Sequence, residues 1–417
     1  MTFPMHRNPF RFLLCLGMLL IPAGRLSGQI TTYELNGADY LFDYKVSALF
    51  LTIAPDARST GMGDAGVASD PDVNAQHWNP AKYAMIKGKG GVSASYAPWL
   101  RNLIPGIHLG YLSGYCRINE KNVLSSSLRF ISLGEINFTN LSGVTILTDH
   151  PFEFAGDLGY SRKFTEHLSA GLAFRYIHSD PVPSQTNEKT AGNSVAGDLG
   201  IYYQRPFGMG ERSALWALGC NISNIGAPIT YPSVSTDKLP IPTNLRAGGR
   251  MQIDINEFHS ITILADANKL LVPTTPVFDD SMYAATGELV ILRGKEAPAS
   301  TLYGMIQSFY DAPGVPLEDG TYSVLREELH EIALSFGAEY QFDERFAFRC
   351  GYHHEHATKG NRKFFTLGFG GRYKFLAADF SCLIPVNGQN SPLARTWRFT
   401  LTAEFGRTAK PAGSDPS

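Results

Sequence analysis

The sequence predicts an all-β protein, an antiparallel transmembrane β-barrel of about fourteen strands in the outer membrane of a Gram-negative-type cell. Three observations predict it. The chain opens with an export signal, it then repeats segments that alternate apolar and polar residues, and the connections between these segments are alternately short and long. Charged residues make up only 18% of the chain and the net charge is -2, which excludes a basic nucleic-acid-binding surface.

Residues 1–28 have the composition of a cleaved secretory signal peptide. Arg7 and Arg11 give a positive start, residues 12–21 form an apolar core, and small residues precede a cleavage site expected near Gly28. The apolar core is about ten residues long, too short for a helix that crosses a bilayer. Since no later stretch is long and apolar enough for such a helix, the mature chain can span a membrane only as strands.

From residue 91 onward, segments of about nine to thirteen residues alternate apolar and polar positions. The last segment is the clearest, with apolar residues at Trp397, Phe399, Leu401, Ala403 and Phe405 and polar residues between them. Side chains of a strand point alternately to opposite faces, so each such strand has one apolar face and one polar face. We expect strands over 91–98, 106–118, 122–134, 152–164, 167–179, 193–205, 213–223, 243–255, 258–268, 330–342, 345–355, 362–374, 376–384 and 395–406.

The connections favour a membrane barrel over a soluble β-sandwich or propeller. Tight polar turns are expected at 119–121, 165–166, 256–257 and 343–344, and longer links near 135–151, 180–192, 224–242, 269–329 and 385–394. Membrane barrels have short periplasmic turns and longer outer loops, whereas a soluble sheet does not require long links at every second connection. An even number of strands also returns both ends of the barrel, predicted over 91–406, to the periplasm.

Two segments do not fit the strand pattern. Residues 29–90 precede the first strand on the periplasmic side and carry the motif Trp78-Asn79-Pro80-Ala81, so we expect them to form a periplasmic or plug segment of the barrel. The link 269–329 is too long for a plain outer loop. It combines prolines with aromatic residues, as protein-docking surfaces do. The candidate partner-binding residues are Phe278, Tyr283, Tyr303, Phe309, Tyr310 and Tyr322.

No enzyme or cofactor motif is present in the sequence. It contains no GxSxG nucleophile elbow, no phosphate-binding loop and no HExxH. His354 and His356 share one face of a strand, but two ligands do not make a metal site without a third, and we interpret them as a polar strand end. We therefore expect no enzymatic activity, no cofactor and no metal.

The segment LFLTIAPDARSTGMGDAGVASDPDVNAQHWNPAKYA at 49–84 resembles the start of the PorV family, outer-membrane barrels of the type IX protein secretion system. The resemblance continues through SYAPWL at 95–100, SLRFISLGEI at 127–136, FRYIHSD at 174–180, KGNRKFFTLGFGGRY at 359–373 and TWRFTLTAEF at 396–405. It covers nearly all of the chain after the signal peptide. The tail at 407–417 extends past the usual terminal aromatic residue, a departure that concerns only the barrel-assembly signal.

The resemblance implies a FadL-like barrel of fourteen strands that shuttles proteins and catalyses no reaction. It implies that the barrel associates with the SprA translocon channel and binds cargo proteins by their C-terminal β-domains. Delivery is then to the PorU sortase and PorZ at the cell surface. The binding surface should lie on outer loops, with 269–329 the first candidate and 224–242 the second.

Two alternatives stay open at this point. The first is a FadL-like transporter of hydrophobic solutes, in which the segment around Asn79 is the plug and an apolar pocket lies beneath it. The second is an outer-membrane lipid A deacylase, although no spacing of serine, histidine and aspartate in the sequence supports it. The surrounding outer-membrane lipids are partners in each case, and nucleic acid is a partner in none.

Overall fold

The computed structural model describes residues 46–99, 106–181, 191–210, 212–232, 238–279, 282–283, 287–386 and 396–406. The predicted signal peptide at 1–28, the first part of the segment 29–90 and the tail at 407–417 lie outside these residues. Within the described ranges, no helix has the length and apolar character needed to cross a membrane.

In the described part of the chain, fourteen antiparallel strands close into one barrel. They are β1 (Gly90–Pro98), β2 (Ile107–Arg117), β3 (Asn122–Leu133), β4 (Phe152–Lys163), β5 (Leu168–Asp180), β6 (Gly192–Met209), β7 (Arg212–Gly226), β8 (Asn244–Asp254), β9 (His259–Leu270), β10 (Ala333–Phe342), β11 (Phe346–His354), β12 (Lys363–Tyr373), β13 (Leu376–Pro385) and β14 (Trp397–Phe405). The pairing of β1 with β14 closes the wall, with Gly90 opposite Phe405 and Tyr96 opposite Phe399. The predicted fold class is confirmed.

The strand boundaries differ most from the prediction at β6 and β7, which continue until Met209 lies opposite Arg212. The predicted end of β6 at residue 205 falls just before Pro206, a residue with no N–H to donate to a neighbouring strand. In the structure, β5 begins at Leu168, opposite Tyr203. Pro206 therefore lies beyond β5, where β6 has only β7 beside it, and edge positions of this kind tolerate proline.

The barrel wall carries apolar side chains outside and polar side chains inside. Along β14, Leu401 is 66% exposed, whereas its neighbour Thr400 is 1% exposed. Other strands repeat the pattern, with Leu112, Leu158, Phe174 and Phe348 exposed and Ser95, Asp157, Arg175 and Arg349 buried. An apolar outer surface of this extent would make a protein aggregate in water, and it is the surface that a lipid bilayer requires.

The two ends of the barrel differ in their connections. At one end β2–β3, β4–β5, β8–β9, β10–β11 and β12–β13 are joined by turns over 118–121, 164–167, 255–258, 343–345 and 374–375. At the other end lie long connections, including a hairpin of Ile136–Thr139 with Thr145–Asp149 and the segment 271–332. β1 starts and β14 ends at the short-turn end, which we assign to the periplasm.

Residues 46–89, here called the plug, lie inside the barrel. Their elements are two 3-10 helices, Leu49–Thr52 and Pro80–Met85, and two short helices, α1 (Ala57–Thr60) and α2 (Ala75–Trp78). Wall side chains hold the plug backbone. Asp266 Oδ2 of β9 accepts hydrogen bonds from the amides of Gly66 and Val67 at 2.7 and 2.9 Å. Five strands further round the wall, Thr400 Oγ1 of β14 accepts one from the Ala57 amide at 2.9 Å.

The link between β9 and β10, residues 271–332, has secondary structure of its own and is here called the loop subdomain. It contains helices α3 (Thr301–Gln307) and α4 (Val324–His330). It also contains two small antiparallel pairs, Val277–Phe278 with Ile291–Arg293 and Val315–Pro316 with Tyr322–Ser323. Ser300 and Ser323 cap the two helices by accepting hydrogen bonds from the Tyr303 and Arg326 amides, which satisfies N–H groups that lack a partner within the helix.

Candidate protein-docking surface

A buried ion-pair network fastens the loop subdomain to the rim of the barrel. Glu331 is at its centre, with Lys269 Nζ of β9 at 2.5 Å and Lys359 Nζ, from the β11–β12 connection, at 2.9 Å. Lys269 also pairs with Glu328 at 2.9 Å, and Lys359 with Glu327 at 2.8 Å. These side chains are at most 8% exposed. Because buried charges must be paired, the network fixes where the subdomain lies.

The charges of this network stabilise one another. Burial raises the pKa of Glu331, but the ammonium groups of Lys359 and Lys269 outweigh it and hold that pKa below its ordinary value. Burial lowers the pKa of Lys359, but Glu331 and Glu327 outweigh it and raise that pKa above its ordinary value. The Glu331–Lys359 pair therefore stays ionised around neutral pH.

Asp311 lies beside this network and behaves differently. Burial, followed by the charges of Glu328 and Glu331, raises the pKa of Asp311 to about 7. Its Oδ2 accepts a hydrogen bond from the Thr274 amide at 3.3 Å. The carboxyl group is therefore half protonated near neutral pH, and its ionisation places a further negative charge beside Glu328 and Glu331.

We expect the loop subdomain to lose stability as the pH rises from about 4 to about 7. The folded chain keeps the Asp311 proton up to a pKa of about 7, whereas the unfolded chain loses it near 3.8, so stability is full at the lower pH and declines toward the higher one. Asp311→Asn keeps the acceptor for Thr274 and should flatten this profile. Proteolysis within 271–332 of the intact barrel, measured between about pH 5 and pH 8, tests this.

The matched control for that experiment is Asp319→Asn, which changes an exposed carboxylate of the same subdomain. The Thr321 hydroxyl and amide both donate to Asp319, and they lower its pKa below the ordinary value. This variant should keep the pH profile of the unmodified chain. A flat profile in the unmodified chain would refute the assignment to Asp311.

The aromatic residues predicted to bind a partner lie in the loop subdomain, and most of them are exposed. Those between 40% and 55% exposed are Tyr283, Tyr303, Phe309, Tyr310 and Tyr322. Phe278 is half-buried and pairs with Ile291 in a small hairpin, so less of its side chain is available to a partner. Cations stack on two of the exposed rings, with Lys295 Nζ 3.9 Å from Tyr310 and the Arg293 guanidinium 3.7 Å from Tyr322.

Exposed aliphatic side chains accompany the aromatic ones and were not among the predicted binding residues. Leu302 and Ile306 on α3 are 63% and 62% exposed, and Leu325 and Leu329 on α4 are 72% and 58% exposed. Each pair has the i, i+4 spacing of one helix face, and this spacing is the signal that could have found them. We define the α3 patch as Leu302, Tyr303, Ile306, Phe309 and Tyr310.

The second predicted binding loop, 224–242, has a different environment. Ile229 and Ile241 are buried, and they pack in one cluster with Phe50 of the plug. The Pro240 carbonyl accepts a hydrogen bond from the Ser47 amide at 2.9 Å. The described part of this loop therefore covers the plug and leaves these groups unavailable to a partner.

The predicted plug motif holds the plug together and ties it to the wall. Trp78 is 1% exposed, its Nε1–H donates to Asp56 Oδ1 at 2.5 Å, and the Arg246 guanidinium lies 4.7 Å from its ring. Asn79 Nδ2 donates to the Ile201 carbonyl of β6 at 2.9 Å. The Pro80 and Ala81 carbonyls accept hydrogen bonds from Ser161 and Ser169 of the wall at 2.6 and 2.8 Å. The motif thus has a structural role.

Charged networks occupy the interior between plug and wall. Arg175 pairs with Asp157 at 2.6 Å and with Asp198 at 3.0 Å, and all three side chains are buried. Arg58 of the plug pairs with Glu339 of β10 at 3.1 Å, a residue that Arg349 also pairs with at 2.6 Å. An apolar pocket beneath the plug, which transport of a hydrophobic solute would use, would have to form among these charges at a high desolvation cost.

The histidine cluster at the end of β11 has protein partners. His353 Nδ1 is hydrogen-bonded to Ser335 at 2.9 Å, and Glu355 accepts from Arg362 Nε at 2.8 Å. His356 stacks on His330 with 3.5 Å between ring centroids. Among the residues that the structure describes, no group of histidine, cysteine and acidic side chains is arranged to hold a metal ion.

The sequence of this chain matches a known protein family. The family model described as "Type IX secretion system protein PorV" matches residues 44–277, more than half of the chain. None of the curated proteins matches the sequence.

Solved structures of similar architecture are distant in sequence. The P. putida toluene transporter TodX is 9% identical, with 85% of this chain and 99% of that chain covered and a TM-score of 0.44. The CymD monoaromatic hydrocarbon channel is 13% identical, with 87% and 97% covered and a TM-score of 0.43. A Pseudomonas aeruginosa FadL homologue is 10% identical, with 85% and 98% covered and a TM-score of 0.36.

Proposed function

The chain belongs to the PorV family of type IX secretion system proteins, and from this premise we propose that it captures exported proteins and passes them to the cell surface. The predicted family is confirmed, and with it a non-enzymatic, outer-membrane role in that secretion system. The proposal is more specific. The barrel receives cargo at the SprA channel, recognises its C-terminal β-domain, and delivers it to the PorU sortase and PorZ.

The α3 patch carries this proposal. Leu302 and Ile306 are exposed on one helix face, and Tyr303 and Tyr310 of the same patch are exposed as well. Aromatic and aliphatic anchors of this kind dominate the binding energy of protein interfaces. The Glu331 network holds the subdomain in place, so little conformational entropy remains to be lost when a partner binds.

The position of the patch fits the proposed direction of transfer. The loop subdomain lies at the long-loop end of the barrel, opposite the end where Gly90 and Phe405 lie. In an outer-membrane barrel this end faces the cell exterior. The interior charges around Arg175 and Glu339 argue against the alternative, a transporter of hydrophobic solutes.

Placing two acids in the α3 patch should abolish cargo capture. We expect Leu302→Asp combined with Ile306→Asp to lower the amount of cargo that co-purifies with the barrel at least about tenfold, since the loss of two interface anchors costs more than about 1.4 kcal/mol. The cargo C-terminal β-domain should then accumulate in the periplasm. Quantitative mass spectrometry of purified complexes and of cell fractions measures both effects.

The control is Leu141→Asp, which adds an acid at a fully exposed apolar position of another long connection. It should leave cargo capture unchanged, and both variants should keep the heat-modifiable gel mobility of a folded barrel. Normal secretion by the α3 double variant would reject the patch as the cargo site. Loss of secretion in the Leu141 variant as well would mean that added charge, rather than the patch, is responsible.

A further inference from the structure

A groove of about 790 Å³ runs along the outside of the barrel wall, where β11, β12, β13, β14, β1 and β2 follow one another. Its volume is in the range of about 300–1,000 Å³ that is usual for small-molecule sites. The groove lies on the lipid-facing side of the wall. It is therefore separate from the plug and from the loop subdomain.

The strand register explains why a groove forms here. Ala378 lies opposite Gly371 on one side and Leu401 on the other. Ala94 lies opposite Leu401, and Ala403 lies opposite Val92. Glycine and alanine at these outward positions carry only a hydrogen atom or a methyl group, whereas other outward positions carry long side chains. The floor of the groove is therefore formed by the small residues Gly371, Ala378, Ala94 and Ala403. The sides of the groove are Leu112, Phe346, Tyr373, Leu376 and Leu401.

The groove reaches the short-turn end of the barrel, where charged residues form its rim. Arg345, in the turn 343–345, lines the groove and has a side chain that is 71% exposed. Its Nε lies 3.1 Å from Asp343 Oδ2. Lys374, in the turn 374–375, places its Nζ 5.3 Å from the ring centroid of Tyr373, which is one side of the groove. The rim therefore offers exposed cations beside a carboxylate.

We propose that this groove binds one acyl chain of a zwitterionic glycerophospholipid, such as phosphatidylethanolamine, from the periplasmic leaflet. The lipid phosphate pairs with Arg345 and Lys374, and the lipid ammonium pairs with Asp343. An unfilled groove would forgo the dispersion contacts of its lining. Acyl chains are the apolar groups that surround an outer-membrane barrel on this side, and the mixed charge of the rim matches both charges of the headgroup.

The test uses the full chain in vesicles that contain phosphatidylethanolamine with a photoactivatable acyl chain. After illumination and digestion, the peptides that contain Ala378 and Leu401 should carry at least fivefold more label than peptides from β4, whose outward residues lie elsewhere on the wall. Ala378→Phe fills the groove and should reduce this labelling to the level of β4. Ala403→Phe fills it from the neighbouring strand and serves if the first variant does not fold. Arg345→Glu should lower the labelling at least threefold by repelling the phosphate.

The matched control is Ala338→Phe, the same substitution at an outward position between Ile263 and Cys350 on another part of the wall. It should leave the labelling at Ala378 unchanged. Uniform labelling around the barrel, or full labelling in folded Ala378→Phe, would overturn the proposal. A second experiment places a photo-crosslinker at position 378 in intact cells. If it yields only a protein adduct, the groove is a protein interface and the proposal is overturned.

Discussion

Changing Gly351 to alanine is expected to displace the plug from its position inside the barrel while the barrel wall stays closed. A Cβ atom at this position of β11 would lie 2.1 Å from the Gly63 nitrogen and 2.2 Å from the Met62 carbonyl carbon. Both atoms belong to the plug backbone, which cannot move away as the end of a flexible side chain would. Gly63 has a φ of +73°, a conformation that favours glycine, and it has no side chain whose rotation could relieve the clash.

The cost of this substitution should reach about 3 kcal/mol, the upper end for an overpacked core. Because the amide of Gly63 donates to Thr366 Oγ1 at 2.8 Å, displacement also breaks a buried hydrogen bond between plug and wall. We expect a several-fold rise in single-channel conductance in planar bilayers and faster proteolysis within 46–89. Gly156→Ala is the control, since a Cβ atom at Gly156 meets nothing within 4 Å. Equal conductance of the two variants would contradict this account of the Gly351 contact.

Changing Glu331 to alanine is expected to detach the loop subdomain from the barrel. The substitution leaves Lys269 and Lys359 buried beside one fewer carboxylate, and breaking a buried pair in this way costs about 3–5 kcal/mol. The Thr274 hydroxyl, which donates to Glu331 at 2.9 Å, loses its acceptor as well. Proteolysis of the intact barrel should become rapid within 271–332, and cargo capture should fall with it.

Two further variants test whether loss of the buried charge itself causes this effect. Glu331→Gln keeps an acceptor for Thr274 and removes the charge, so an intermediate loss is expected. Glu166→Ala breaks an exposed i, i+3 pair with Lys163 and should have no measurable effect, since surface pairs contribute little. If Glu331→Ala leaves the proteolysis rate unchanged, the network does not hold the subdomain.

The barrel could be predicted from the sequence because its signal is local. Alternation from Trp397 to Phe405 is visible in nine consecutive residues, and the structure places the apolar set outside and the polar set inside. The position of the loop subdomain was also predictable, because a link of that length is unusual in a barrel. The end of β6 was predicted at residue 205 and lies at Met209, because Pro206 is tolerated where the neighbouring strand has ended.

The ion-pair network that holds the loop subdomain could not be predicted, because it depends on contacts between residues far apart in the sequence. Lys269 and Glu331 are 62 positions apart, and Lys359 and Glu331 are 28 apart. No pattern within a short segment indicates that these residues meet. The aromatic residues were found by their type, whereas Leu302 and Ile306 required knowing that 301–307 is a helix. Residue type alone does not distinguish exposed from buried positions, since Phe278 is also an aromatic residue of this loop and is half-buried.

The way the plug is held has a consequence for biogenesis. Wall residues that bind the plug come from β9, through Asp266, and from the last strand, through Thr400, while the seam between β1 and β14 is continuous from Gly90 to Tyr96. Once that seam has formed, a segment bound by these strands could enter only through an end of the barrel. We therefore expect the plug to be enclosed as the final strand pairs, so that the machinery that inserts this barrel acts on an incomplete wall that already contains the plug.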